Sequence, residues 1–227
     1  MKQTKILVVA AHPDDEVLGC GGTVARLVSE GAGAHTLILG EGVTSRDTQR
    51  DRSACEKEIS ELREQIRKAN AILGVSSTHI EDFPDNRFDN VNLLDIVKVV
   101  ESVVNEISPE IIFTHYGNDL NIDHKIVFDA VLTATRPMQG EVVKEIYSFE
   151  VLSSTEWNFP LSFSPDTFYD VTDSLIIKQT AMEAYVSELR EFPHPRSIEG
   201  IRLNAAQWGM KVGVTSAEAF KSIRVIK

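Results

Sequence analysis

The spacing of apolar and polar positions changes repeatedly along this chain. Short apolar or alternating runs at 6–10, 36–39, 78–83 and 111–114, with another near 145–151, read as strands. The run at 6–10 is continuously apolar, as expected of a strand covered on both faces. Between the strands lie stretches with apolar residues at helical spacing: 16–30, roughly 51–73, 93–107 and 124–135. Gly74 after the second stretch and Pro109 after the third are stop signals. Strands separated by amphipathic helices predict right-handed βαβ units. The expected fold is therefore α/β: a three-layer, Rossmann-like, mostly parallel sheet with helices on both faces.

Beyond residue 151 the pattern weakens. The segment 157–170 is rich in Phe, Pro and Ser and reads as a long loop or short strands. Two helical stretches follow, 174–191 and 197–209, joined by Phe192, Pro193, His194, Pro195 and Arg196. No internal repeat or linker divides the chain, so residues 1–227 read as one domain, with 151–227 an elaboration that covers the site described below.

Composition narrows the class. A formal net charge of −11 and a pI near 5.0 argue against a nucleic-acid or anionic-membrane partner. Cys20 and Cys55 lie in predicted helices, far from any zinc-ribbon spacing, and are expected to be reduced. Lys2 and Lys5 precede an apolar run too short for a secretory leader, and charged residues follow it. No stretch approaches the ~18 apolar residues of a membrane span. A soluble, cytoplasmic protein is expected, with homo-oligomerisation left open.

Chemistry enters where the first strand hands over to a helix. His12, Pro13, Asp14, Asp15 and Glu16 follow the apolar run directly, at the sheet edge where open α/β folds bind ligands. Such a cluster can bind a metal and keep a carboxylate as base. The plainer reading is helix capping by Asp14, with Asp15 and Glu16 favoured in the first turn. Gly19, Gly21 and Gly22 suggest a dinucleotide fingerprint, but they fall inside the predicted helix, and carboxylates occupy the place where phosphates belong.

A second cluster weighs against capping alone. The fourth strand ends near His115, and Asp119, Asn121, Asp123 and His124 follow before the next helix. In the common doubly wound order the first and fourth strands are neighbours, so both clusters face one crevice. Two histidines and one carboxylate make a catalytic-type metal set. Nitrogen and oxygen ligands without thiolate suit zinc, with iron, cobalt or manganese as alternatives.

At these residues the chain resembles the PIG-L/LmbE family of metal-dependent N-deacetylases. The family's Ala-His-Pro-Asp-Asp-Glu motif is present as Ala11 to Glu16, and its Asp-His motif as Asp123 and His124. The resemblance extends to Arg136 and Pro137 and to the segment 193–197. It implies that His12, Asp15 and His124 hold Zn2+ and that Asp14 is the general base. It further implies that Asp123 orients a ligand and that Asp119 orders the loop. The implied substrates are small N-acyl sugars, N-acetylglucosamine units on various carriers.

The chain departs from the family at Asn121, where many members carry a histidine. Asparagine can donate a hydrogen bond to an oxyanion but cannot deliver a proton. His194 is the first candidate for the missing acid and His115 the second. Arg63, Arg87 and Arg196 are candidate substrate contacts, although a solvated helix face explains Arg63 equally well. Trp157 and Tyr185 are candidate sugar-stacking rings. Two other readings stand beside deacetylation: an amidase for a larger amino-sugar conjugate, and a Rossmann-like module that binds metal without catalysis.

Overall fold

A computed structural model describes residues 3–46, 50–140 and 142–227. Five parallel strands come first: β1 (Lys5–Ala10), β2 (Gly33–Gly40), β3 (Ser77–Phe83), β4 (Ile111–His115) and β5 (Glu145–Phe149). Four helices connect or follow them: α1 (Asp15–Ser29), α2 (Glu56–Leu73), α3 (Leu93–Ile107) and α4 (Ile122–Ala134). The C-terminal part adds β6 (Thr167–Asp170), α5 (Leu175–Glu183), α6 (Ile198–Val212) and β7 (Ala217–Val225). The sheet order is β3-β2-β1-β4-β5-β7-β6, with β7 antiparallel to both its neighbours.

Helices cover both faces, and β1 shows why its sequence is continuously apolar. Ile6, Val8 and Ala10 face the core formed with α1, α2 and α5. Leu7, Val9 and Ala11 face the core formed with α3 and α4. Successive strand residues point to opposite faces, so a strand buried on both must be apolar throughout.

The chain runs outward from β1 to β3, then returns to place β4 on β1's other side. That reversal opens a crevice at the carboxyl ends of β1 and β4. Register tightens it: Val9 pairs with Thr114, and the Ala11 N–H donates to His115 Nε2 at 2.8 Å.

Several element boundaries differ from the sequence reading. Helix α2 begins at Glu56, because Asp51 Oδ1 collects the N–H groups of Ser53 and Ala54 in a turn before it. The stretch 174–191 is helical only to Glu183. Beyond it, Tyr185 reaches Glu16 at 2.5 Å and Ser187 reaches Gln65 at 3.2 Å, so tertiary contacts draw the chain off the helix axis. Strand β7 was not anticipated: Glu218, which looks like a solvent-facing residue, is buried against Lys178.

Candidate active site

The loop after β1 is bent so that its acidic residues turn inward. Asp14 has φ 91° and ψ −25°, a left-handed conformation costing about 1–3 kcal/mol for a non-glycine residue. Its side chain makes no capping bond to α1, so the capping reading of Asp14 fails. Instead the Asp14 N–H donates to Glu16 Oε2 at 3.1 Å. Glu16 Oε1 accepts from Tyr185 at 2.5 Å and from Asn70 at 3.0 Å. Tyr185 is thus a buried strut under the loop, not a sugar-stacking surface. Burial pushes the Glu16 carboxyl up to about 7, against the pull of the Tyr185 hydroxyl.

His12, Asp15 and His124 come together at the crevice, with one potential ligand atom from each lying within 4.8 Å of the others. Asp15 Oδ2 stands 3.4 Å from His12 Nδ1 and 3.4 Å from His124 Nε2. Tetrahedral ligands about 2.0–2.1 Å from a zinc ion are separated by roughly 3.3 Å, so the spacing fits a shared divalent ion.

The far nitrogens strengthen the fit. His12 Nε2 lies 2.9 Å from Asp123 Oδ2, whose other oxygen accepts the Phe88 N–H at 3.0 Å. His124 Nδ1 lies 3.2 Å from Asp119 Oδ1. Asp119 is fixed in turn by the hydroxyls of Ser154 and Thr155 and by the Asn121 N–H. Each ring therefore directs one nitrogen to a buried carboxylate and the other to the common centre, as metal-bound histidines do.

Electrostatics agree with that geometry. Burial disfavours charge on both rings, yet the surrounding carboxylates prevail. Asp123 and Asp15 hold His12 well above its ordinary value, and Asp15 and Asp119 raise His124 to about 9. Asp119 falls to about 2: burial raises it, but His124, Ser154 and Thr155 outweigh the burial. The cluster calls for positive charge.

Asp14 stands beside the three without joining them. Burial and the Asp15 charge push its carboxyl well above the usual range. Arg196 opposes them, donating from Nη1 to Asp14 Oδ2 at 3.0 Å and lying 3.8 Å from Glu188. A cleft of about 250 Å³ opens here, bounded by Ser45, Asp85, Asn121, Ser154 and Arg190 together with Asp14, Arg196, Glu188 and the three clustered residues. Sequence reasoning missed Asp85, and with it Ser45, Ser154, Glu188 and Arg190. Asp85 accepts from Ser45 Oγ at 2.5 Å and stands 3.4 Å from His12 Nε2.

Of the other expected site residues, Asn121 lines the cleft while His115, His194, Arg63 and Arg87 do not. Asn121 caps α4, accepting the Asp123 N–H at 2.8 Å, while its amide nitrogen donates to Asn86 at 2.8 Å. His115 is buried behind His124, rings stacked at 4.0 Å, and its Nε2 is taken by the Ala11 N–H. His194 is outside the cleft wall. Its Nδ1 accepts the Arg196 N–H at 3.1 Å, and its ring meets Trp157 edge-on at 5.8 Å. Arg63 pairs with Asp82 at 2.5 Å on the α2 surface. Arg87 precedes the short turn at Phe88–Asn90. The structure brings neither arginine to the cleft wall.

Residues 7–135 match the family described as PIG-L: GlcNAc-PI de-N-acetylase, which is more than half of the chain. The chain belongs to the PIG-L family. The matched segment carries every residue of the metal cluster together with Asp14. Two relatives extend the likeness toward the C-terminus. The uncharacterized deacetylase YaiS of Escherichia coli (strain K12) is 29% identical over 192 residues, covering 82% of this chain and 92% of that protein. The diacetylchitobiose deacetylase of Thermococcus kodakarensis is 25% identical over 229 residues, covering 96% and 83%. Among solved structures, GalB, the 4-carboxy-2-hydroxymuconate hydratase of Pseudomonas putida KT2440, superposes with a TM-score of 0.75 at 22% identity. That match covers 99% of both chains and shows a shared fold. Among the described residues, no helix is long and apolar enough to cross a membrane.

Proposed function

We propose that this PIG-L chain is a zinc-dependent N-deacetylase that hydrolyses the acetamide of an N-acetylated amino sugar or its conjugate. One observation carries the reading: two histidines and Asp15 converge while buried aspartates hold the far ring nitrogens, and Asp14 remains beside them as an unligated carboxylate. A purely structural site would close with a fourth protein ligand. The relatives' names support deacetylation rather than hydration as the reaction.

His12, Asp15 and His124 would hold the ion. When bound, it supplies Lewis-acid polarisation of the amide carbonyl and a hydrolytic water of lowered pKa. Asp14 takes the proton of the attacking water at its carboxylate. Arg196 keeps that carboxylate pointed into the cleft, and Asp119 and Asp123 hold the two imidazoles in one tautomer and orientation. The departing amine needs a proton; His194 is outside the cleft wall, and neither Asn121 nor His115 can give one. Asn121 is an amide engaged at both ends. His115 is buried, and its Nε2 already accepts a backbone hydrogen bond. Asp14 therefore returns the proton it took, acting as both base and acid.

The cleft, at about 250 Å³, is at the small end of ligand sites. That size favours a single amino-sugar unit with a short acyl group over a bulky amide. Residues 1–227 act as one catalytic unit in this reading, since Arg196 of the C-terminal part meets Asp14. Cys20 and Cys55, neither in a disulfide, fit a reducing cytoplasm. The test is acetate release from N,N′-diacetylchitobiose and N-acetylglucosamine glycosides. Activity should be lost on chelation and restored by zinc. Equal turnover before and after complete metal removal would refute the proposal.

A further inference from the structure

Helix α1 is two helices end to end. At Cys20 the backbone leaves helical geometry, with φ −148° and ψ 17°. Such a break strands carbonyls on its N-terminal side and N–H groups on its C-terminal side. Here the stranded groups are buried, and an unpaired buried polar group is costly. Two distant residues satisfy three of them. Lys178 of α5 donates from Nζ to the Leu18 carbonyl at 2.7 Å. Glu218 of β7 accepts the Gly22 N–H at 3.0 Å and the Thr23 N–H at 2.6 Å. The ammonium and carboxylate also meet each other at 2.5 Å, both almost wholly buried.

The signs match the helix dipoles. The cation closes the C-terminal end of the first segment, and the anion closes the N-terminal end of the second. A buried ion pair is weak support for stability, because hydrophobic residues of similar volume commonly hold a core as well. Its geometry, by contrast, is specific to a broken helix.

The first segment is one turn long, and it carries the site. The Val17 and Leu18 N–H groups donate to the Asp14 carbonyl at 3.0 and 2.9 Å. Gly19 faces Phe149 so closely that an added Cβ would lie 2.3 Å from the ring. Phe149 meets His115 edge-on at 4.9 Å, and His115 stacks on His124. Where the turn ends therefore bears on both sides of the metal cluster.

We propose that Lys178 and Glu218 are positioning residues that cap the two sides of the break and thereby aim Asp14 and Asp15 into the cleft. Neither touches the cluster; they act through the backbone of α1. This rests on the reading of Asp14 and Asp15 as base and ligand.

The test uses the full chain with Glu218→Gln and Lys178→Met. It measures zinc affinity by chelator competition, kcat and KM, and hydrogen exchange at the Val17 and Leu18 amides. Loosening the turn should weaken zinc binding by roughly tenfold, the scale of outer-sphere changes at metal sites. It should also lower kcat with KM little changed and speed exchange at both amides. Folded variants with wild-type zinc affinity, kcat and exchange would overturn the proposal. If either variant fails to fold, Glu218→Asp replaces it, keeping the charge but withdrawing it by one methylene. Unchanged zinc affinity and exchange in that variant would overturn the proposal equally. Should the wild-type chain itself bind no zinc, the functional reading fails. The exchange of Val17 and Leu18 then decides the positioning role alone.

Discussion

His12 and His124 each have two ring nitrogens, and in each ring one of them lies beside a buried aspartate: Asp123 for His12 at 2.9 Å, Asp119 for His124 at 3.2 Å. Removing either partner frees a ring to turn or change tautomer while leaving the ligand set intact. Asp123→Asn and Asp119→Asn should therefore each weaken zinc binding about 10–100-fold. Chelator competition measures this, and unchanged affinity would show that the carboxylates do not orient the rings. The same carboxylates impose a pH dependence. Burial opposes charge on His124, but Asp15 and Asp119 hold its proton up to about 9, and zinc must displace that proton. Below that value binding releases a proton, so affinity should fall as pH falls, by up to about tenfold per unit for this group. Above it the dependence on this group should level off. A flat profile from neutrality upward would contradict the assignment.

At the scale of elements, the crevice depends on close approach between α1 and β5. Gly19 is the contact point, since a methyl group there would overlap Phe149, which buttresses His115. Gly19→Ala should cost about 1–3 kcal/mol of stability, the usual penalty for overpacking. Denaturant unfolding measures it, and a midpoint equal to wild type would mean the helix shifts freely. Gly19 thus serves helix–sheet packing. Strands β1, β2 and β4 were legible because two-sided burial leaves an apolar signature in sequence. Helix α3 was legible at both ends for a similar reason, one apolar face between clear boundary residues. The end of α5 and the whole of β7 were not. Tyr185, Ser187 and Glu218 follow long-range partners, and local pattern carries no trace of a bond to Glu16, Gln65 or Lys178.

At the scale of the molecule, the first and second motifs were separable in sequence but their meeting was a matter of topology. The β1–β4 adjacency brings His12 and Asp15 to His124, and that adjacency follows from the order of βαβ units. The C-terminal contribution was harder to see. Arg196 reaches Asp14 across the crevice, while His194, two residues away, points to Trp157. A proline-flanked loop gives no sequence signal for which side chain enters. The fold itself does not choose the reaction, since a hydratase shares it. The proposed choice rests on the relatives' names and on the reading of Asp14 as a base beside the ligand set. The most direct test is Asp14→Asn, with zinc content and acetate release measured on the same purified sample. The account predicts full zinc occupancy with kcat lowered about 10²–10⁴-fold, because an amide cannot accept the proton. Near-normal acetate release from the zinc-loaded variant would contradict it.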